Sequence, residues 1–457
     1  MLNGDNVSSS RNNYSPSIDI PKKLEGDIDI LVMYVKFPDV SNTTSNPDDW
    51  TSGSSTSLDS IILSKSYWSD VSYGKINITF WKSDNYYPEL PGTSAYYGKD
   101  FDYDSDGVID RDPNSYRCGE PWYKVCQGVY TVNSLIEDTL KIYDVHGVNF
   151  TKYDHFLIVL AGDSQVNTKN TDDAWPKCVC DIDNLLGHRF QTNDEIINTN
   201  KKGIIIITEN DIMGTFSHEI GHLLGLPDLY DYSDNYSYVN TWSIMATGNI
   251  LPGGYKSNGQ WGWLGTNPTQ LVGVEKVWLG WLEPLVVNPG EKKVVTIQYP
   301  ISKGDGSGTY VVKLPFPSDS IVAGDPQDHY FMLELRKKIG RDSKLPSEGI
   351  LVTLINETKK GGTGIVRIVD GYDGNGLDNA ALKAGWYGRL VIPSYFIFNG
   401  SQVQDLIGVH VVSIGNYDDG VAVIEVHHGL PDLLIENIDV ASSINEGDNV
   451  NFHVTVR

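Results

Sequence analysis

Positive charge is scarce in this 457-residue chain: 35 lysines and arginines face 59 aspartates and glutamates, a formal net charge of −24. Such an acidic surface excludes nucleic acid and anionic membranes as natural partners and suits a soluble protein in a cation-rich medium. No apolar run approaches the about 20 residues needed to span a bilayer, so no membrane insertion is expected. The opening stretch, MLNGDNVSSSRNNYSPS, has no apolar signal core and does not itself direct export. The expectation is that a signal and a prosegment have been removed from a longer precursor; a native Met1 would instead reopen a cytoplasmic location. Disorder is excluded too, because 40% of residues are hydrophobic and only 21% charged.

Cysteine is sparse as well. Cys118, Cys126, Cys178 and Cys180 all fall in the first half of the chain. Free thiols or a second zinc site are alternatives, but CxC has no partner pair at zinc spacing. The favoured expectation is two disulfides tying the loop of Cys118 and Cys126 to the segment of Cys178 and Cys180. Asn-x-Ser/Thr sequons, among them Asn42, Asn77 and Asn149, are compatible with glycosylation but are expected by chance in a chain rich in asparagine and serine.

Histidine numbers only ten residues, yet two of them stand in SHEIGHLLGLPDLYD, residues 217–231. His218 and His222 are four residues apart, so on a helix their rings leave one face and can share a metal. Glu219, beside the first, is placed to take a proton from an attacking water and is read as catalytic rather than as a ligand. Gly225 can reverse the chain and Pro227 forbids further helix, which brings Asp228 back toward the metal. The spacing is that of HExxHxxGxxH with aspartate as third ligand. Two nitrogens and one oxygen suit zinc and leave a site open for water. The ordinary alternative is a surface helix with a His-Glu-His face. Against it, Trp242-Ser243-Ile244-Met245-Ala246 follows where a metzincin places the methionine turn under its metal, which makes Met245 the expected floor of the site.

Upstream, the β-branched run Gly203-Ile204-Ile205-Ile206-Ile207-Thr208 predicts a buried strand leading into the metal helix, capped by Asn210 or Asp211. From there the chain resembles the immune inhibitor A family of secreted zinc metallopeptidases over most of its length. IDILVMYVKFPD resembles that family's first strand, SYWSDVSYGKINITF its SYG segment, and KYDHFLIVLAG the strand before its cleft. GLPDLYD, WSIMATG, VEKVWLGWLEP and FMLELRKKIGRDSKLPSEGILV continue the resemblance in order. It implies a zinc endopeptidase acting on extracellular proteins or peptides, secreted or associated with the cell surface. Two departures stand out. Trp175-Pro176-Lys177-Cys178 replaces the family's Trp-Ser-His motif. Thr247 stands where many metzincins carry an oxyanion-stabilising tyrosine, leaving Tyr230 and Tyr232 as nearby candidates.

A second metal signal is Asp102, Asp104, Asp106 and Asp110 around Gly107, the first part of an EF-hand loop, which suits calcium as a brace. Position twelve is Pro113, so completion falls to Asp112 or a distant group; a solvated acidic turn is the alternative. Asp370–Asp378 reads as a solvated acidic loop. Adjacent His427 and His428 point to opposite faces of a strand and make a poor chelate. Trp278 and Trp281 read as core rather than as a carbohydrate platform, and so do Trp261 and Trp263.

The fold class expected is an α/β metzincin-like zinc peptidase domain followed by a β-sandwich domain. Residues 1–25 read as a flexible leader, 26–283 as the catalytic domain and 284–429 as the sandwich, where short strands separated by Gly, Asp and Pro turns replace the alternation of strand and helix. Residues 430–457 resemble the start of a CARDB-type adhesion module and stop in mid-strand. That ending predicts a longer protein whose further C-terminal modules hold it at a cell surface. A surface adhesion protein with a non-cleaving peptidase-like domain is the alternative function, and a zinc deacetylase or amidase a third; intact Glu219 speaks against the adhesin.

Overall fold

In the computed structural model, the described residues are 24–40, 57–83, 86–98, 129–168, 173–174, 176–179, 190–193, 196–197, 202–231, 237–250, 267–300, 308–316, 328–369, 377–390, 407–415, 420–428, 435–439 and 453–456. Three strands organise the first half: β1 (Gly26–Val35), β3 (His155–Leu160) and β7 (Ile204–Thr208). They run parallel, with β2 (Ile76–Lys82) beyond β1 and the antiparallel β4 (Lys177–Val179) beyond β7, in the order β2-β1-β3-β7-β4. The shorter pair β5 (Phe190–Gln191) and β6 (Ile196–Ile197) forms its own small ribbon.

The apolar runs of β1, β3 and β7 serve two cores at once, because successive side chains on a strand point to opposite faces. Ile30, Val32, Leu157, Val159, Ile205 and Ile207 enter one core; Leu31, Met33, Phe156, Ile158, Ile204 and Ile206 enter the other. On the second face lies α3 (Val129–Val145), packed through Leu135, Ile136 and Leu140. On the first lie α1 (Ser57–Val71) and α5 (Met213–Leu223), with Tyr67, Trp68, Phe216 and Ile220 between them. The short helices α2 (Ser94–Gly98) and α4 (Gln165–Thr168) edge the layer, and α6 (Gly273–Trp278) closes it. Trp281 is buried against Trp68, ring centroids 6.3 Å apart, and Trp278 is partly buried on the same core. Trp261 and Trp263 lie outside the described residues.

After residue 284 the chain is β-rich; its described helical content is two 3-10 turns, Gly340–Lys344 and Leu377–Asn379. One sheet has the order β13-β12-β11-β10-β8 and a second the order β14-β15-β16-β9. Their strands are β8 (Leu285–Val286), β9 (Lys292–Gln298), β10 (Val311–Pro315), β11 (His329–Arg336), β12 (Gly349–Asn356), β13 (Val366–Ile368), β14 (Tyr387–Leu390), β15 (Ile407–Ile414) and β16 (Val421–His428). The facing sides share one core, in which Phe331, Leu333, Val352 and Leu354 meet Val409, Val411, Ile424 and Val426. The other side of β11 and β12 enters the core of α1 and α5 through Tyr330, Met332, Leu351 and Ile355. These two strands are therefore buried on both faces. His428 is fully buried and His427 turns out toward Glu425, 3.1 Å away, so the adjacent histidines do face apart. Beyond them β17 (Ile435–Asp439) and β18 (His453–Val456) pair antiparallel.

Candidate metal centre

Helix α5 carries the His-Glu-x-x-His segment and is buried from Met213 to His222. Strand β7 delivers it as expected, but its N-cap is Ile212, with no side-chain cap bond. Asp211 turns back instead. Its Oδ2 accepts from the backbone N–H and hydroxyl of Thr208 at 2.7 and 3.0 Å, and its Oδ1 accepts from Ser164 at 2.6 Å. Burial, reinforced by the charge of Glu219, pushes Asp211 up to about 6 despite these bonds. Alongside, Glu209 Oε1 accepts from the Gly162 N–H at 2.7 Å, so two acids fasten the loop after β3 to the entry of the helix.

The helix ends in a Schellman turn. Leu226 N–H donates to Gly221 O and Gly225 N–H to His222 O, both at 2.9 Å, with Gly225 at φ +98°, a region costly for a residue bearing a Cβ. The reversed chain carries Asp228 back over the helix. Asp228 Oδ1 lies 3.1 Å from His218 Nε2 and 3.2 Å from His222 Nε2, and the two Nε2 atoms are 3.2 Å apart. Among the described residues this is the group of three able to hold a metal ion.

Both rings are oriented from behind. His218 Nδ1 lies 2.8 Å from Ile244 O, and His222 Nδ1 lies 2.8 Å from Leu226 O. A carbonyl only accepts, so each Nδ1 carries its hydrogen, and in the neutral ring each Nε2 turns a lone pair toward the acid. Three lone-pair-bearing atoms at such separations repel unless a cation sits among them. A tetrahedral ion with bonds of about 2.0–2.1 Å sets its ligands roughly 3.3 Å apart, close to the observed triangle, so the residues fit a metal. The same demand for positive charge acts on His218: burial opposes its protonation, but Asp228 outweighs that and drives it up to about 9.

Met245 lies under the helix, fully buried. A Cβ placed on Gly221 would overlap the Met245 sulfur, so the glycine between the histidines lets the turn approach. Met245 O in turn accepts from Leu229 N–H at 2.9 Å, joining this turn to the segment that carries Asp228. Glu219 sits beside His218 on the helix and is buried.

The other expectations fare differently. Asp102, Asp104, Asp106 and Asp110, the calcium loop, lie outside the described residues, as do Cys118, Cys126 and Cys180. Cys178 lies on β4, packed on the α5 core; the cross-links expected from the cysteine count would run to cysteines outside the described residues. Tyr232 and Trp175 also lie outside the described residues. Sequence reasoning missed Glu209 and gave Asp211 only as a cap; their partners Gly162 and Ser164 each lie 47 residues away in the chain.

A parallel α/β sheet feeding a buried helix with two histidines, an acid beside them and a returning aspartate defines a metallopeptidase. Residues 47–280 match the profile of the immune inhibitor A peptidase M6 catalytic domain, and the chain belongs to that family. No curated protein matches it.

Proposed function

We propose that the chain is a secreted zinc endopeptidase that hydrolyses peptide bonds of extracellular proteins. The convergence of His218, His222 and Asp228 carries this reading, since hard oxygen with two imidazole nitrogens is a donor set zinc favours while keeping a position open. Zinc bound there supplies Lewis acidity, lowering the pKa of an attacking water and polarising the scissile carbonyl. Glu219 takes the proton of that water and later delivers it to the leaving amine. Met245 holds the ligands from below. The backbone carbonyls of Ile244 and Leu226 keep both imidazoles in the ligating tautomer.

In the proposed division, residues 26–283 form a metzincin-like catalytic domain and 284–429 a β-sandwich, the reading supported by two sheets closing on one core. Residues 1–25 are a leader and 430–457 the start of a CARDB-like module serving surface attachment. Calcium in the 102–110 loop is a brace on the same reading. No helix among the described residues is long and apolar enough to cross a membrane.

Hydrolysis of unfolded casein by protein loaded with zinc, beside a Glu219→Gln variant, tests the proposal. The variant should keep its zinc and lose about 10²–10⁴-fold or more in turnover. Equal cleavage by both would remove Glu219 from the chemistry, and cleavage by neither would sink the peptidase reading.

A further inference from the structure

The methionine turn is held from beyond the family match. Arg336 on β11 is fully buried and grips Asp342 with two prongs, Nε to Oδ2 and Nη2 to Oδ1, each 2.8 Å. Its third corner, Nη1, donates at 3.0 Å to the carbonyl of Trp242, which opens the turn. Asp342 extends the grip, its Oδ1 accepting from Thr269 Oγ1 at 2.7 Å and from Gln270 N–H at 3.1 Å. The next residue of the turn, Ser243, donates at 2.6 Å to Glu275, whose helix is pinned to β11 where Gly273 N–H meets Glu334 at 2.9 Å.

A second hold acts on the third ligand. Gly362, in the hairpin between β12 and β13, donates its N–H to the Asp228 carbonyl at 3.0 Å, and Thr363 forms an antiparallel bridge with Asp231. Two separate parts of one sheet thus touch the two loops that complete the centre. Glu334, Arg336, Asp342 and Gly362 all lie after residue 280, where the family match ends.

We propose that Arg336 is a positioning residue of the metal centre: by fixing the Trp242 carbonyl it sets the turn whose Ile244 carbonyl orients the His218 ring. The proposal rests on the zinc reading of His218, His222 and Asp228. A buried ion pair is a weak source of stability compared with apolar packing of the same volume, but its forked geometry fixes a backbone in place. Its value here lies in the placement of the turn.

Zinc affinity, measured on the full chain by competition with a chromophoric chelator alongside melting temperature, tests this. Removing Arg336 alone would strand the Asp342 charge in the core, so the main variant is Arg336→Met with Asp342→Leu, which deletes both charges together. It should keep a cooperative melt, lowered because the buried Gln270 N–H and Trp242 carbonyl lose their partners, and bind zinc about 10- to 100-fold more weakly, the range seen when partners behind metal ligands are lost. Arg336→Lys, which offers a point charge in place of the fork, should fall between. Arg341→Ala breaks an exposed contact to Asp70 from the same region and should bind zinc like the parent. Parent-like zinc affinity in a folded double variant would overturn the proposal. If that variant does not fold, Arg336→Lys decides alone, with undiminished affinity as the overturning result. Failure of the parent and all variants to bind zinc would sink the zinc reading itself, and this proposal with it.

Discussion

His218 is held at both ring nitrogens, Nδ1 against the Ile244 carbonyl at 2.8 Å and Nε2 facing Asp228 Oδ1 at 3.1 Å. The ring therefore has one orientation available, and its ligating nitrogen competes between a proton and a metal.

That competition has a measurable sign. Without metal His218 is pushed up to about 9, so near pH 7.5 it carries a proton that zinc must displace. Zinc titrations by calorimetry in buffers of different ionisation enthalpy should show release of about one proton at pH 7.5, falling toward none above pH 10. Release that does not change with pH would contradict the tight coupling of His218 to Asp228.

Two glycines of the metal segment should be intolerant for different reasons. Gly221→Ala drives a methyl into Met245 and should cost about 1–3 kcal/mol through overpacking. Gly225→Ala forces a Cβ into the left-handed region, at about 1–2 kcal/mol. Denaturant midpoints check both, and a neutral Gly221→Ala would mean that the turn does not pack as described.

Glu275 should make stability depend on pH. Burial lifts it from 4.5 to about 8, with Glu334 adding to the rise, while the bonds from Ser243 and Val272 and the charge of Lys276 oppose it. Its folded pKa lies above its unfolded one, so the folded state holds the extra proton. Stability is thus lost as pH rises from about 4.5 to about 8, by at most about 1.4 kcal/mol per pH unit. Glu275→Gln stays neutral and keeps an oxygen for both donors. Its advantage over the parent in urea midpoints should grow between pH 5 and 8 and then level off; an advantage independent of pH would show that Glu275 is already ionised.

The centre was legible in the sequence because its chemistry is local: HExxH, a glycine three residues on and an aspartate after it fix a helix, a reversal and a ligand within eleven residues, His218 to Asp228. The strands were legible from β-branched runs. Asp211 was misread as a cap because a carboxylate before a helix can accept from the N–H groups ahead of it or from Thr208 behind it. Ser164, far away in sequence, helps decide between them. Arg336 and Asp342 stand six residues apart in a stretch whose likeness to the family was visible, but nothing local shows that they reach Trp242, 94 residues upstream.

Strands β11 and β12, buried on both faces, have a consequence for the integrity of a peptidase. A cut near residue 284 would not release a smaller working enzyme, because the half bearing the histidines would be left with a bare apolar wall where Tyr330, Met332, Leu351 and Ile355 had been. A break at that seam would uncover this shared wall, so the two halves stand or fall together.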